Sequence, residues 1–270
     1  MKLAILSDVH ANAEALRATL AAIAAQGVDR IVCLGDIVGY NTDPAECIAL
    51  LQERDALCVA GNHDRAVAGL ITTEGFSQTA ARAVRWTRAR LDTRSLAYLG
   101  ALPLTAEVAN HLVAVHGALH PETGREMVRL ETDALRHESF AALIAHPSRA
   151  RICAFGHTHR LAVFERTGGA MSERTDDRIS LRPDAYYLVN PGAVGQPRTQ
   201  DRRASYLTLD TDRQVLTVHR LSYDHARTLA KTRRAGLLPP LSFLPAPVRE
   251  SLKWSVRAVG LSEVVKRIAS

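Results

Sequence analysis

Seven residues able to hold a metal ion fall in five short motifs: Ser7-Asp8-Val9-His10, Gly35-Asp36, Gly61-Asn62-His63-Asp64, His116-Gly117 and Gly156-His157-Thr158-His159. The candidate ligands are Asp8, His10, Asp36, Asn62, His116, His157 and His159. Asp, Asn and His without Cys suit borderline divalent ions, Mn first, with Fe, Ni and Zn also suited. Seven donors exceed one tetrahedral ion and point to two ions sharing a bridging carboxylate. Such a pair, about 3.5–4 Å apart, clamps the attacking and leaving oxygens of an in-line displacement. Two divalent cations outweigh the charges of Asp8, Asp36 and one hydroxide, so the site stays positive. It favours an anionic substrate such as a phosphate ester.

The elements that must carry these residues are visible as apolar runs: LAIL before Asp8, IVCL before Asp36, ALCVA before Asn62, LVAV before His116 and ICAF before His157. Runs of this length read as buried parallel strands. Five strands ending in candidate ligands predict convergence on one carboxyl edge of one sheet, where open α/β sheets bind ligands. Helices are predicted over Ala11–Gln26, with Gly27 after its end, and from Pro44 to Arg54. Residues 75–101 read as two covering helices, and Thr132–Ile144 as another. After His159 the pattern turns to strands: Leu161–Glu165, Ile179–Leu181, Tyr186–Val189, Ala204–Leu209 and Val215–Arg220. The polar, Gly-bearing stretch Thr167–Asp177 is expected to be a mobile hairpin tip. Alternation followed by a strand-rich half fits two packed sheets with helices outside.

The motif order D-x-H, G-D-x-x-G, G-N-H-D, H-G, G-H-T-H resembles the calcineurin-like metallophosphoesterases over roughly residues 1–235. The resemblance implies an α/β fold, a four-layer α/β/β/α sandwich of two mixed sheets flanked by helices. It implies that Asp8, His10 and His159 bind a first metal and that Asp36 bridges. Asn62, His116 and His157 would bind the second. His63 would contact the phosphate and protonate the leaving oxygen, while metal-activated water attacks. The other histidines match no motif and read as surface or core residues.

The loop from Asn190 to Arg198 resembles one near the metals in small prokaryotic phosphodiesterases of this family. Arg198 could there grip a phosphate through its planar fork, and Tyr40 could line the substrate site. Protein Ser/Thr phosphatases carry G-D-x-V-D-R-G, where this chain has Gly35-Asp36-Ile37-Val38-Gly39-Tyr40-Asn41. The missing Asp and Arg argue against protein phosphatase activity. The reading is therefore a phosphodiesterase acting on a small nucleotide-like substrate. A dinucleoside polyphosphate hydrolase is the runner-up. A non-catalytic scaffold on the same fold is the rival from another class, but such scaffolds lose ligands or the acid His.

No apolar run approaches the length of a membrane span. The first strand begins at once, without the basic and apolar regions of a signal peptide. Four Cys lack C-x-x-C spacing and read as reduced core thiols, so a cytoplasmic protein is expected. Net charge is +6, and Lys stands only at Lys2, Lys231, Lys253 and Lys266, so Arg dominates the basic residues. The cluster Arg82, Arg85, Arg88, Arg90 and Arg94 around Trp86 could contact nucleic acid; a solvated helix face is the preferred reading. The catalytic domain is placed at residues 1–238. In the tail, 239–270, Val248, Leu252, Val256 and Val259 form one helical stripe opposite Arg249, Lys253 and Arg257. That stripe would dock on the domain, on a second subunit or on a membrane surface.

Overall fold

The computed structural model describes residues 1–238 other than 121 and 123. Strands and helices alternate at first: β1 (Lys2–Leu6), α1 (Ala13–Ala24), β2 (Arg30–Cys33), α2 (Pro44–Gln52) and β3 (Leu57–Cys58). Three helices follow, α3 (Asn62–Ala68), α4 (Gln78–Arg88) and α5 (Thr93–Ala101). Next come β4 (Thr105–Val108), β5 (Leu112–Val115), α6 (Asp133–Ile144) and β6 (Ile152–Ala154). The strand-rich part holds β7 (Leu161–Thr167), β8 (Ala170–Arg174), β9 (Arg178–Ser180), β10 (Tyr186–Pro191), β11 (Ala204–Asp210) and β12 (Val215–Leu221). Helix α7 (His225–Arg234) comes last among the described elements.

The strands form two mixed six-stranded sheets, ordered β3-β2-β1-β11-β12-β9 and β4-β5-β6-β10-β7-β8. β1, β2 and β3 are parallel, and β11 joins β1 antiparallel. β5, β6 and β10 are parallel, with β4 and β7 antiparallel on either side. The two-residue period of a strand splits each run between two cores. Leu3, Ile5, Val32 and Leu34 meet Leu112, Ala114, Ile152 and Ala154 between the sheets. Ala4, Leu6, Ile31 and Cys33 face outward under α1 and α2, against Leu16, Leu20, Ile48 and Leu51. Val113, Val115 and Cys153 carry α6 through Phe140 and Leu143. Three apolar layers between four structural layers make the expected α/β/β/α sandwich.

The five ligand-bearing strands do not share one sheet. β1, β2 and β3 lie in the first sheet, β5 and β6 in the second. A strand buried on both faces reads the same whichever sheet holds it, so the division leaves no mark in the apolar runs. What converges is the carboxyl ends of two parallel sets, one per sheet. Helix α1 starts later than expected, with the Asn12 side chain accepting from Ala15 N at 3.1 Å as its N-cap. The stretch expected as a hairpin tip is mostly sheet: β7 runs to Thr167 and β8 returns from Ala170. Gly168 and Gly169 make the turn between them, both at positive φ, as a tight hairpin requires.

Three of the five arginines in the cluster on and after α4 make contacts within the chain. Arg82 donates to Leu238 O, Arg88 to Val67 O, and Arg90 stacks on Trp86 at 3.9 Å. Among the described residues no helix is long and apolar enough to cross a membrane. The stripe assigned to the tail lies outside the described residues.

Candidate dinuclear metal centre

All seven expected ligands meet where the two sheets' carboxyl edges adjoin. Asp8, His10, Asp36 and His159 form one group, and Asp36, His116 and His157 another. Within each group the ligand atoms lie within 4.8 Å of one another. Asn62 joins the second group, its Oδ1 3.2 Å from His116 Nε2. Asp36 belongs to both. Its Oδ2 stands 3.5 Å from His10 Nε2 and 3.5 Å from His116 Nε2. One carboxylate oxygen thus faces both groups, as a bridge must.

Backbone carbonyls set which ring nitrogen faces inward. His116 Nδ1 donates to Leu34 O at 2.7 Å and His10 Nδ1 to Val38 O at 3.2 Å. His159 Nδ1 donates to Gln196 O. A histidine held this way offers Nε2 to a metal with its tautomer fixed. The inward atoms crowd one another: His10 Nε2 and His159 Nε2 are 3.2 Å apart, as are His116 Nε2 and His157 Nδ1. Asp8 Oδ1 is buried without a hydrogen bond, 3.2 Å from His159 Nε2. Facing lone pairs at such distances repel unless a cation or a proton lies between them. The donor set therefore fits two divalent ions.

The backbone is bent to make this possible. Asp8, His10, Ala11, Asp36, Tyr40, His157 and His159 all have positive φ. For non-glycine residues that conformation costs of order 1–3 kcal/mol each and clusters at functional sites. Gly61 is the N-cap of α3, and a Cβ there would overlap the Asp36 carboxylate. The first turn of α3 then holds Asp36, whose Oδ1 accepts from His63 N at 2.9 Å while Oδ2 points at the histidines. Asp64 closes the turn by accepting from Gly61 N and Val38 N.

Electrostatics express the same strain. Burial opposes charge on His116, but the Asp36 carboxylate, Asp8 and the Leu34 carbonyl together outweigh it and lift the imidazole to about 9. Burial also opposes ionisation of Asp36, yet His116 and the other histidines hold it well below the usual carboxylate range. Burial raises Asp8 to about 7 and lowers His157 to about 2 and His159 to about 3. In the ion-free chain a proton on His116 balances Asp36. A metal must displace that proton, because His116 binds only when neutral. Binding of Mn at neutral pH is expected to release protons. Affinity should rise with pH toward about 9, by up to about tenfold per unit for each proton released. Calorimetry in buffers of different ionisation enthalpy measures the release; a buffer-independent heat and a pH-independent affinity would contradict it.

A cavity of about 960 Å³ opens over the cluster, lined by Asp36, Asn62, His63, His157 and His159. Tyr40 and Arg198 line it too, as expected from sequence. His63 lies among the rings of His10, Tyr40 and Phe76, at 4.8, 4.8 and 5.2 Å between centroids. Its Nδ1 is buried without a hydrogen bond, in keeping with the absent Asp of the phosphatase pattern. Sequence reasoning missed Phe76, Arg129 and Arg202 on the cavity wall. Arg129 sits in the long connection between β5 and α6, and a connection of that length is itself a functional signal. Phe76 and Arg202 are single residues on loops and left none.

The model of the calcineurin-like phosphoesterase superfamily domain matches residues 1–214. A Methanocaldococcus jannaschii protein, MJ0912, is 32% identical over 233 residues, covering 85% of this chain and 90% of its own. The crystal structure of a metallophosphoesterase from Sphaerobacter thermophilus is 34% identical, with a TM-score of 0.72, covering 88% of this chain and 95% of that one. The Pyrococcus horikoshii protein PH1004 shares the fold, with a TM-score of 0.69 at 16% identity, covering 88% and 94% of the two chains. With its five motifs gathered at one buried cluster, the chain belongs to the calcineurin-like phosphoesterases, metal-dependent hydrolases of phosphoric esters.

Proposed function

We propose that the protein is a dinuclear phosphodiesterase acting on a small nucleotide-like substrate. The observation that carries this reading is the position of Asp36 Oδ2, equidistant from the two histidine groups under a large open cavity. Asp8, His10, Asp36 and His159 hold a first ion; Asp36, Asn62, His116 and His157 hold a second. Mn is the first candidate, with Fe, Ni and Zn also compatible with the donors. Two such ions supply Lewis-acid activation of water and neutralise phosphate charge.

The remaining work falls to side chains. His63 holds a proton for the leaving oxygen, since its ring reaches the cavity beside Asp36. Burial lowers its pKa, opposed by Asp36, so the protonated ring gives up its proton more readily but is a smaller fraction at neutral pH. Arg198 grips the non-bridging phosphate oxygens, with the Tyr40 hydroxyl beside its guanidinium. Where Ser/Thr phosphatases carry Asp and Arg, this chain has Gly39 and Tyr40. A monoester dianion is therefore less well neutralised than a diester. Arg129 and Arg202 on the same wall favour the runner-up, hydrolysis of a dinucleoside polyphosphate, whose extra phosphates need extra cations. A cytoplasmic location accords with the four buried, unpaired thiols.

A panel of diesters, monoesters, phosphopeptides and dinucleoside polyphosphates, assayed with Mn, tests the reading. Diester turnover should exceed phosphopeptide turnover; the reverse order would overturn it. His63→Ala should keep both metals yet lose about 10²–10⁴-fold in kcat on substrates with poor leaving groups. A nitrophenyl diester needs less protonation and should suffer less; equal losses on both would remove the acid role. Arg198→Ala should raise KM more than it lowers kcat, because its contact is shared by ground and transition states. Unchanged kinetics would place Arg198 outside the substrate's reach.

A further inference from the structure

Helix α7 lies beyond residue 214, where the family match ends, yet it is fastened to the site. Lys231 Nζ reaches Glu14 Oε1 at 2.7 Å and Asp43 Oδ2 at 2.5 Å. Glu14 is in the first turn of α1, and Asp43 is the N-cap residue of α2. Arg227 adds a second contact to Glu14 at 3.1 Å. The buried residues of α7 are Thr228 and Thr232, one turn apart. Burying an unmatched hydroxyl is costly, so a helix docked only by hydrophobic cover would present Leu or Val there. Each hydroxyl has a carbonyl of its own helix in reach, Thr228 O at 2.9 Å for Thr232 and Asp224 O at 3.4 Å for Thr228, and each also meets an asparagine on the domain.

Those asparagines lead to one of the two ligand groups. Thr232 Oγ1 lies 3.0 Å from Asn41 Oδ1, and Asn41 Nδ2 donates to His10 O at 2.9 Å. The Asn41 backbone N–H donates to the same carbonyl at 3.2 Å. Thr228 Oγ1 lies 3.0 Å from Asn12 Oδ1, and Asn12 Nδ2 donates to Gly195 O at 3.0 Å. Gly195 N donates to Asp8 O at 3.0 Å, and the next carbonyl, Gln196 O, orients His159. Asp8, His10 and His159 are thus each reached from α7 through a short polar chain. The other group is held differently: His116 by Leu34 O, and the His157 backbone by Asp8 Oδ2. Among the described residues no hydrogen bond joins α7 to Asn62, His116 or His157.

We infer that α7 is a positioning element for the first metal site, with Thr228 and Thr232 as the residues that hold the Asp8–His10–His159 set in register. The inference rests on the dinuclear reading above. His10 and its neighbour Ala11 sit at positive φ, a conformation that surrounding bonds must impose. Asn41 grips that turn from outside, and Thr232 fixes the amide of Asn41. A helix serving only as cover would affect global stability and treat the two sites alike. A positioning helix discriminates between them.

Stepwise binding of Mn to the full-length apo protein, followed by calorimetry, tests this. His159→Ala and His116→Ala identify which binding step belongs to which site. In Thr228→Val/Thr232→Val, which keeps side-chain volume and removes both hydroxyls, the first-site step should weaken roughly tenfold, the low end of what lost outer-shell partners cost. The second-site step should stay unchanged. Thr228→Ser/Thr232→Ser keeps the hydroxyls and should bind like wild type. Circular dichroism checks folding; if the double Val variant does not fold, Thr232→Val against Thr232→Ser carries the same comparison. Equal weakening of both steps, no weakening of either, or a Ser variant as weak as the Val variant would overturn the inference. A wild-type protein without two binding steps would overturn the proposed function itself, and this inference with it.

Discussion

Two carboxylates and four imidazoles are buried within a few ångström of one another at the meeting edge of two sheets, and most local features of the molecule answer to that crowding. An uncompensated buried ion costs several kcal/mol even after relaxation. Facing donor atoms add repulsion that water cannot screen. The chain supplies what compensation it can: a proton on His116 against Asp36, the first turn of α3 beneath Asp36, and carbonyls that orient three histidines. Each is partial. Seven residues at or beside the cluster remain at positive φ, among eleven such non-glycine positions in the described chain. The cost is recovered when cations enter, which is why the rest of the fold can be read as a frame holding donors where they would not otherwise stay.

That frame explains which parts were legible from residues alone. Ligands at strand ends are local features. The apolar run, the break after it and the polar residue beyond all lie within a few positions, so Asp8, Asp36, His116 and His157 could be placed from neighbours. The helices at Pro44 and Thr132 had start signals of the same local kind. The partition of strands between sheets was not legible, because β2 and β6 are equally apolar on both faces and pairing is decided far along the chain. Strand β8 was hidden for a different reason. It lies at a sheet edge and is mostly exposed, so its composition resembles a loop. Helix α7 was missed because its buried face is Thr rather than Leu, which leaves no apolar period to read. Nothing local marks Asn12 and Asn41; their role appears only when a helix about two hundred positions later donates to them.

The two sheets contribute unequally to the two groups of ligands. Asp8 and His10 follow β1, while His159 follows β6 of the other sheet; Asp36 follows β2, and His116 and His157 follow β5 and β6. Each group therefore spans the sandwich, and its geometry depends on how the sheets pack. One tight joint is at Gly156, where a Cβ would overlap the Ser7 hydroxyl, and where His157 N donates to Asp8 Oδ2 at 3.2 Å. Interiors are close-packed and transmit strain. The apolar layer of Leu3, Ile5, Leu112 and Ile152 thus acts as part of the metal centre's mounting, although none of these residues reaches the cavity.

His63, the proposed acid, is shaped by the same constraint as the candidate ligands. A histidine that must aim one nitrogen at a leaving group is usually steered by a hydrogen bond to the other. Here Nδ1 has no such partner, and packing takes over. The ring is boxed by His10, Tyr40 and Phe76, and Gly39 lies so close that a Cβ would strike Nδ1. Gly39 has a φ of 98°, which only glycine adopts freely, so this position is doubly restricted. Steric confinement fixes the ring plane without adding a negative charge beside Asp36. In a site that already buries Asp8, Asp36 and Asp64, a further carboxylate would have to be neutralised too. Orientation by shape avoids that charge, and it accounts for glycine and tyrosine standing where the phosphatase pattern has acid and base.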